Sequence, residues 1–179
     1  MSRKLPVVIA FVAGLVLAAN CKVLSGPHMG DVTESFETSN QSFRLRVDRR
    51  AEVGDFGPIA GAYYVFRSAA VGSDVWRNIM TFRHDDPNPI PRDQLRFLND
   101  RVGFVFMGWM YAVTTDAGAT WSVWDSSRDL PKWQCCNYRL VKDVHLEPDG
   151  TGTMTLNVIP NRGEVPELRT KDFGRHWSV

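Results

Sequence analysis

The sequence contains few of the residues that build metal and redox centres, with three cysteines and four histidines among 179 residues. None of the histidines belongs to a recognisable catalytic or metal-binding pattern. The adjacent pair Cys135-Cys136 has no second cysteine or histidine cluster at ligand spacing. Because zinc sites need several such ligands at regular spacings, we predict no metal site. We also predict no cofactor and no catalytic residues.

Neither charge sign dominates the chain, which carries 21 Lys and Arg against 20 Asp and Glu. Nucleic-acid binding depends on concentrated positive charge, whereas only scattered pairs such as Arg49-Arg50 are present. Sustained helical periodicity is also missing. We therefore predict an all-β fold of antiparallel meanders that does not bind nucleic acid. Its strands are expected at residues 43–47, 61–66, 75–82, 94–98, 103–109, 110–114, 119–124, 138–146, 153–158 and 166–170.

Residues 114–121 have the pattern Ser/Thr-x-Asp-x-Gly-x-Thr-Trp. A hydroxyl and a carboxylate can hydrogen-bond the backbone of a tight turn, while glycine adopts backbone angles closed to other residues. The tryptophan ring is expected to pack against a neighbouring sheet. The pattern resembles an Asp-box, and it predicts a structural turn built from Thr114, Asp116, Gly118, Thr120 and Trp121.

A second copy of the pattern lies at residues 170–177, with His176 in place of the second threonine. Its upstream flank at 144–152 parallels 95–103, and a fainter third copy ends at Trp76. Repeats of about this length are typical of propeller blades, but a closed propeller needs at least about four of them. We predict about three blades or a small open sheet array, which a second chain could complete. The second structural turn is expected to use Thr170, Asp172, Gly174 and Trp177.

Residues 1–20 have the layout of a secretory signal, with basic residues followed by an apolar run from Leu5 to Ala19. The run is shorter than the roughly 20 residues of a membrane span. Cys21, after Leu17-Ala18-Ala19-Asn20, resembles the lipidated cysteine of bacterial lipoproteins. A lipoprotein, a soluble exported protein and a retained helical anchor all remain open. Each places the remaining chain outside the cytoplasm, and we predict the periplasmic side of a bacterial membrane.

The composition after the signal predicts two further regions. Residues 21–41 are polar and rich in Gly, Ser and Thr, which is typical of a flexible tether, and residues 42–179 form the all-β repeat domain. Within that domain Cys135 and Cys136 are a candidate disulfide. They could pair with each other, one could pair with Cys21 if that residue is not lipidated, or both could stay as thiols.

Two loops and one aromatic cluster are candidate binding elements. Loops 85–92 and 125–137 are predicted as partner contacts, because recognition usually lies on loops carried by a rigid scaffold. The motif His84-Asp85-Asp86 could hold a cation or transfer a proton, although a solvated loop is the preferred interpretation. The aromatic cluster is expected to be mostly core, with an exposed binding patch as the alternative. It consists of Phe104, Phe106, Trp109, Tyr111, Trp121 and Trp124.

Residues 97–121 are similar to blades of the photosystem II assembly-factor family. The layout of a short, exported, lipidated all-β chain also resembles the immunity proteins that neutralise type VI lipase effectors in the periplasm. These resemblances imply a non-enzymatic, membrane-tethered protein that binds another protein, either a secreted effector or a membrane-complex subunit. Asp-boxes also occur in sialidases, so a glycoside hydrolase or a glycan-binding module is the alternative.

Overall fold

The computed structural model describes residues 26–130, 140–157 and 167–179, which form three open antiparallel sheets of 4, 4 and 3 strands. Helices within these ranges are limited to one turn each, the 3-10 helix Arg92–Gln94 (η1) and the α-helix Ser126–Asp129 (α1). The predicted all-β fold, arranged as a small open array of meanders, is therefore confirmed. Residues 1–20, Cys21, Cys135 and Cys136 lie outside the described residues.

The first sheet is a meander of four long strands, in which each strand pairs with the next along the chain. The second and third strands form a tight hairpin, because Gly54 lies opposite Gly57 and only Asp55 and Phe56 are left in the loop. The strands are β1 (His28–Ser39), β2 (Phe43–Gly54), β3 (Gly57–Ala70) and β4 (Arg77–His84).

The prediction of a flexible tether at residues 21–41 is wrong for β1. This strand pairs with β2 from His28 opposite Val53 to Ser39 opposite Arg44. It lies at the edge of the sheet, and all of its side chains are exposed or half-buried. An edge strand is held by backbone pairing and needs few apolar residues, so its composition is similar to that of a linker.

The middle of the central sheet is buried on both faces, and every residue of its second strand is buried. Its middle strands are joined by a two-residue turn in which Gly108 has a φ of +59°. A Cβ at this position would lie 2.1 Å from the ring of Phe82 in β4, so glycine permits both the turn and the close approach of the first sheet. The strands are β5 (Leu95–Phe97), β6 (Gly103–Met107), β7 (Met110–Thr114) and β8 (Ser122–Asp125).

The third sheet repeats the strand pairing of the central sheet. Gly152 lies opposite Thr170 in the third sheet, as Gly103 lies opposite Thr114 in the central one. The repeat in the sequence therefore corresponds to a repeat in strand register. The strands, in the spatial order β11-β10-β9, are β9 (Val141–Leu146), β10 (Gly152–Leu156) and β11 (Glu167–Thr170).

Two apolar cores lie on opposite sides of the central sheet. Strand alternation along β6 directs Phe104 and Phe106 into the core shared with the third sheet. Val105 and Met107 point the other way, into the core shared with the first sheet. The described residues thus form a three-layer stack, in which the first and third sheets each keep one outer face.

Candidate functional site

Side chains close the first repeated turn, residues 114–121, which we name turn A. The hydroxyl of Thr114 donates to Oδ1 of Asp116 at 2.8 Å and accepts from the N–H of Gly118 at 2.9 Å. Asp116 also accepts from the N–H and the hydroxyl of Thr120, at 2.9 and 2.6 Å. Burial acts to raise the pKa of Asp116, but these hydrogen bonds outweigh it and lower the pKa below its usual value.

Residues 170–177, which we name turn B, form the same network. The hydroxyl of Thr170 donates to Asp172 at 2.8 Å and accepts from the N–H of Gly174 at 2.9 Å. His176 takes the place of the second threonine, since its N–H donates to Oδ1 of Asp172 at 3.0 Å and its Nδ1 lies 2.5 Å from Oδ2. Burial acts to raise the pKa of Asp172, and the hydrogen bonds from His176 and Thr170 together lower it.

Each turn contacts the sheet that precedes it. The indole N–H of Trp121 in turn A donates to the hydroxyl of Ser68 in β3 at 3.0 Å. In turn B the ring of Trp177 lies edge-on to Tyr111 in β7, with ring centroids 5.5 Å apart, and the Tyr111 hydroxyl donates to the Phe173 carbonyl at 2.7 Å. Both turns therefore connect neighbouring sheets, and Arg175 of turn B donates to the Thr115 hydroxyl of turn A at 2.6 Å.

Residues 68–76 do not form a third copy of the turn. Ser68, which would have to close it, lies inside β3, which continues to Ala70, and its hydroxyl accepts from Trp121 of turn A. Trp76 instead lies on the first sheet, where the guanidinium carbons of Arg44 and Arg46 are 4.7 and 5.8 Å from its ring centroid. This cation–π cluster marks the outer face of the first sheet as the candidate site.

We name the group of Arg44, Arg46, Arg67 and Trp76 the arginine face. Alternation along β2 places Arg44 and Arg46 on the same side of the sheet, and the strand register sets Arg67 of β3 opposite Arg46. All three arginines are partly exposed, with side-chain exposures of 24, 33 and 28% respectively. The Nε of Arg44 is buried without a protein hydrogen-bond partner. The arrangement presents planar guanidinium groups whose positions are set by stacking.

Asp48 holds two of these arginines in place from beneath. Its side chain is fully buried, and it accepts from Nε of Arg46 at 2.7 Å, Nη1 of Arg67 at 3.0 Å and the hydroxyl of Ser35 at 2.6 Å. Burial acts to raise the pKa of Asp48, but the hydrogen bonds from Ser35 and Arg46 and both guanidinium charges lower it below its usual range. Charge-assisted bonds of this kind fix guanidinium groups in orientation.

Arginines outnumber carboxylates among the residues that strand register places on this outer face. Glu37 pairs with Arg44 at 3.1 Å, and the fully buried Glu52 is bound by Nε and Nη2 of Arg83 at 2.6 and 3.0 Å. Asp85, beyond the end of β4, also pairs with Arg83 at 2.6 Å, and with it the face keeps an excess of one positive charge, which favours a partner with negative charge. The arginines are Arg44, Arg46, Arg50, Arg67 and Arg83, and the carboxylates are Glu37, Asp48 and Glu52.

Sequence reasoning missed the arginine face. The alternating string 43–47 does place Arg44 and Arg46 on one side of a strand, which is the signal that was present. Arg67 and Trp76 are 21 and 30 residues from Arg46, however, and only the pairing of β2 with β3 and the following turn bring them together. The chain-wide charge balance concealed this local excess of arginine.

The outer face of the third sheet forms a second, polar surface. A groove of about 620 Å³ runs along it, and turn B contributes Asp172 and His176 to its wall. Its other polar and charged groups are largely paired with each other, for example His145 with Glu147 at 2.9 Å and Arg169 with Glu167 at 3.2 Å. Among the described residues that line this groove, none forms a stacked arginine–aromatic pair or a buried carboxylate like those of the arginine face.

The loop after β4 is proline-rich and forms no strand, as predicted. Asp85 pairs with Arg83 at 2.6 Å, and Nδ1 of His84 accepts from the N–H of Asp86 at 2.9 Å. Within the described ranges no group of three His, Cys, Asp or Glu side chains could hold a metal ion. The loop borders a cavity of about 440 Å³ beside Trp109, while the second predicted contact loop is described only up to residue 130.

The predicted aromatic cluster is core and offers no exposed platform. Phe104, Phe106, Tyr111 and Trp124 are at most 5% exposed in the core shared with the third sheet. Trp109 and Trp121 are partly buried and pack against the other core. Both faces of the central sheet are covered by neighbouring sheets, so its aromatic residues are used for packing.

Comparisons with known proteins place this chain in no established class. No family model, no curated protein and no solved structure matches it. Among the described residues no helix has the length and apolar character needed to cross a membrane. The likeness to Asp-box proteins therefore stays a prediction, and function has to be argued from the geometry of the surface.

Proposed function

We propose that this chain is a non-enzymatic binding protein, attached through its N-terminus to the periplasmic side of a bacterial membrane, that covers an acidic surface of another protein. The observation that carries the proposal is the arginine face, in which Arg44 and Arg46 stack on Trp76 while Asp48 fixes Arg46 and Arg67. Arg and Trp are enriched at the energetic centres of protein interfaces.

Preorganisation is the physical reason why these residues suit binding. A free arginine side chain loses rotamer entropy when a partner immobilises it, at about 0.5–1.5 kcal/mol per side chain. In this protein Arg46 and Arg67 are already held by Asp48, and Arg44 is held by Trp76 and Glu37. Carboxylates on a partner can therefore be bound with a smaller entropic loss.

Two kinds of partner agree with the proposal. For a secreted effector, the protein would act as an immunity factor by blocking the mouth of the effector's active site. For a membrane-complex subunit, it would act as an assembly factor that shields the subunit temporarily. The predicted aromatic cluster gives the glycan alternative no support, because Phe104, Phe106, Tyr111 and Trp124 are buried.

The test combines affinity capture from gently solubilised membranes with charge reversal. We expect the double variant Arg44→Glu, Arg46→Glu to lose a stoichiometric partner that the native protein captures. When the partner is purified, the Kd between it and the double variant should be about 30-fold or more above the Kd for the native protein, as expected for a binding hot spot.

The matched control changes the same charge on the other outer face. Arg169→Glu with Lys171→Glu alters the third-sheet groove and should leave capture and Kd unchanged. Equal loss of binding in both double variants would indicate general electrostatic attraction and overturn the assignment to the arginine face. Inhibition of a captured hydrolase would identify an effector, whereas a partner found only in incomplete complexes would identify an assembly subunit.

A further inference from the structure

The tip of the β2–β3 hairpin exposes apolar side chains at one end of the first sheet. Phe56 occupies the loop and is 97% exposed, and Ile59 at the start of β3 is 44% exposed. Pro58 and Ala60 are exposed as well. We name residues 54–60 the hairpin tip. Covering such an exposed aromatic ring with an apolar surface removes it from water and lowers the free energy.

The start of β1 lies beside the hairpin tip. His28 is opposite Val53, which is adjacent to the tip, and the Val53 side chain lies close to Gly30. Met29 adds a further apolar side chain, 46% exposed, at this end. The start of β1 and the exposed apolar side chains therefore share one end of the sheet.

Chain length limits how far this end can lie from the N-terminal apolar run. The run ends at Ala19, which leaves residues 20–27 before β1. Eight residues span at most about 30 Å when fully extended. The opposite end of the sheet is farther away, because β3 has 14 residues and a strand rises by about 3.3 Å per residue.

We propose that the hairpin tip inserts into the interfacial region of the bilayer that holds the N-terminus, with Phe56 entering deepest. The inference rests on the proposed membrane attachment, which brings the tip to the lipid surface. Asp55 is the only charged residue in the tip sequence Gly-Asp-Phe-Gly-Pro-Ile-Ala. Insertion at the headgroup boundary, at a depth of about 5–10 Å, buries the ring while leaving a carboxylate at the polar surface.

Insertion would also orient the domain. The first sheet would stand on the membrane at its hairpin tip, with the strands running away from the lipid surface. The plane of the sheet would then be roughly perpendicular to the membrane, so the arginine face would be directed along the membrane surface and not into the lipid. Such an orientation suits contact with a partner that is itself bound to or inserted in the same membrane.

The test places a photo-crosslinking phenylalanine analogue at position 56 of the full-length protein. The protein is reconstituted into vesicles of phosphatidylethanolamine and phosphatidylglycerol, irradiated, and examined for covalent lipid adducts by mass spectrometry. The matched control carries the same analogue at position 75, where Val75 is 71% exposed in the turn at the opposite end of β3. We expect lipid adducts when the analogue is at position 56 and none when it is at position 75.

Flotation of the vesicles separates the two proposals. Protein that floats but forms no lipid adduct at position 56, or forms adducts equally at both positions, would overturn the hairpin insertion while the membrane attachment stands. Protein that does not float would overturn both. An adduct between two copies of the chain at position 56 would show self-association in place of lipid contact. Unchanged thermal melting of both labelled proteins verifies that the fold is intact.

Discussion

Turns A and B have the same hydrogen-bonded backbone but different surroundings. Gly118 and Gly174 both have a φ of +81°. A Cβ on Gly118 would meet Phe43 at 3.1 Å, whereas one on Gly174 would meet Trp177 at 2.6 Å and Tyr111 at 2.7 Å. The comparison teaches that a local motif sets the conformation of a turn, while the neighbouring sheet decides how much change that turn tolerates.

The largest difference between the turns is expected from replacing these glycines. Gly174→Ala introduces both a strained backbone and a clash with two buried rings, and it should lower the free energy of unfolding by about 2–4 kcal/mol. Gly118→Ala has the same backbone strain but a milder contact, and about 1–2 kcal/mol is expected. Urea denaturation followed by tryptophan fluorescence measures both values. Equal losses would show that backbone strain alone determines the effect.

Removal of the turn carboxylates tests whether the two networks are equivalent. Asp116→Ala and Asp172→Ala each delete an acceptor of three hydrogen bonds, and each should lower stability by roughly 1–3 kcal/mol. Asp100→Ala, at an exposed turn position, is the matched control and should leave the melting temperature close to that of the native protein. Unchanged melting of either turn variant would contradict the structural role of that carboxylate.

Both turns should make the stability of the protein depend on pH in the same direction. The folded-state pKa values of Asp116 and Asp172 are lowered, so the unfolded chain binds protons that the folded turns exclude. Their contribution is complete above the unfolded pKa of about 4 and is lost as the pH falls through the lower folded values. Denaturation between about pH 5 and pH 2 should show this loss. Asp116→Asn and Asp172→Asn should each weaken the dependence of the free energy of unfolding on pH. If the slope of that free energy against pH is unchanged in a variant, the replaced carboxylate does not contribute as proposed.

The smallest effect is expected from making the turns chemically alike. His176→Thr gives turn B the second threonine of turn A, whose hydroxyl donates to the carboxylate at 2.6 Å. Because the backbone N–H of residue 176 still donates to Asp172, the change in melting temperature should be smaller than that of Asp172→Ala. His176→Ala, which keeps the N–H and removes the side-chain donor, separates the two contributions. A loss from His176→Thr as large as that from Asp172→Ala would contradict the equivalence of the two networks.

Much of the fold could be predicted from short-range patterns. The strand β7 was predicted with its observed bounds, and the alternation of Phe104 and Phe106 indicated the face they share. Strand ends elsewhere differ, by as much as seven residues in β2, which was predicted to end at residue 47 and ends at Gly54, because hydrogen-bond register and not composition ends a strand. β1 was missed because an edge strand can be held by backbone pairing alone and so needs no alternating apolar residues.

The candidate site was less accessible to sequence reasoning than the fold. Overall charge is near zero, and nothing local connects Arg46 with Arg67 or Trp76. Asp48 is an ordinary acidic residue in the sequence, yet it is fully buried between two guanidinium groups. Such a cluster depends on long-range register, which a one-residue shift in pairing would destroy.

The sequence by itself determined the all-β class, the repeated turn chemistry of Thr114-Asp116 and Thr170-Asp172, and the apolar N-terminal run. These features depend on neighbours a few residues apart, so local sterics and hydrogen bonding specify them. Only the tertiary structure decided that three sheets stack, that the arginines share one outer face, and that Phe56 lies at the end of the sheet where β1 begins. Those features depend on strand pairing between distant residues, and no short segment carries that information.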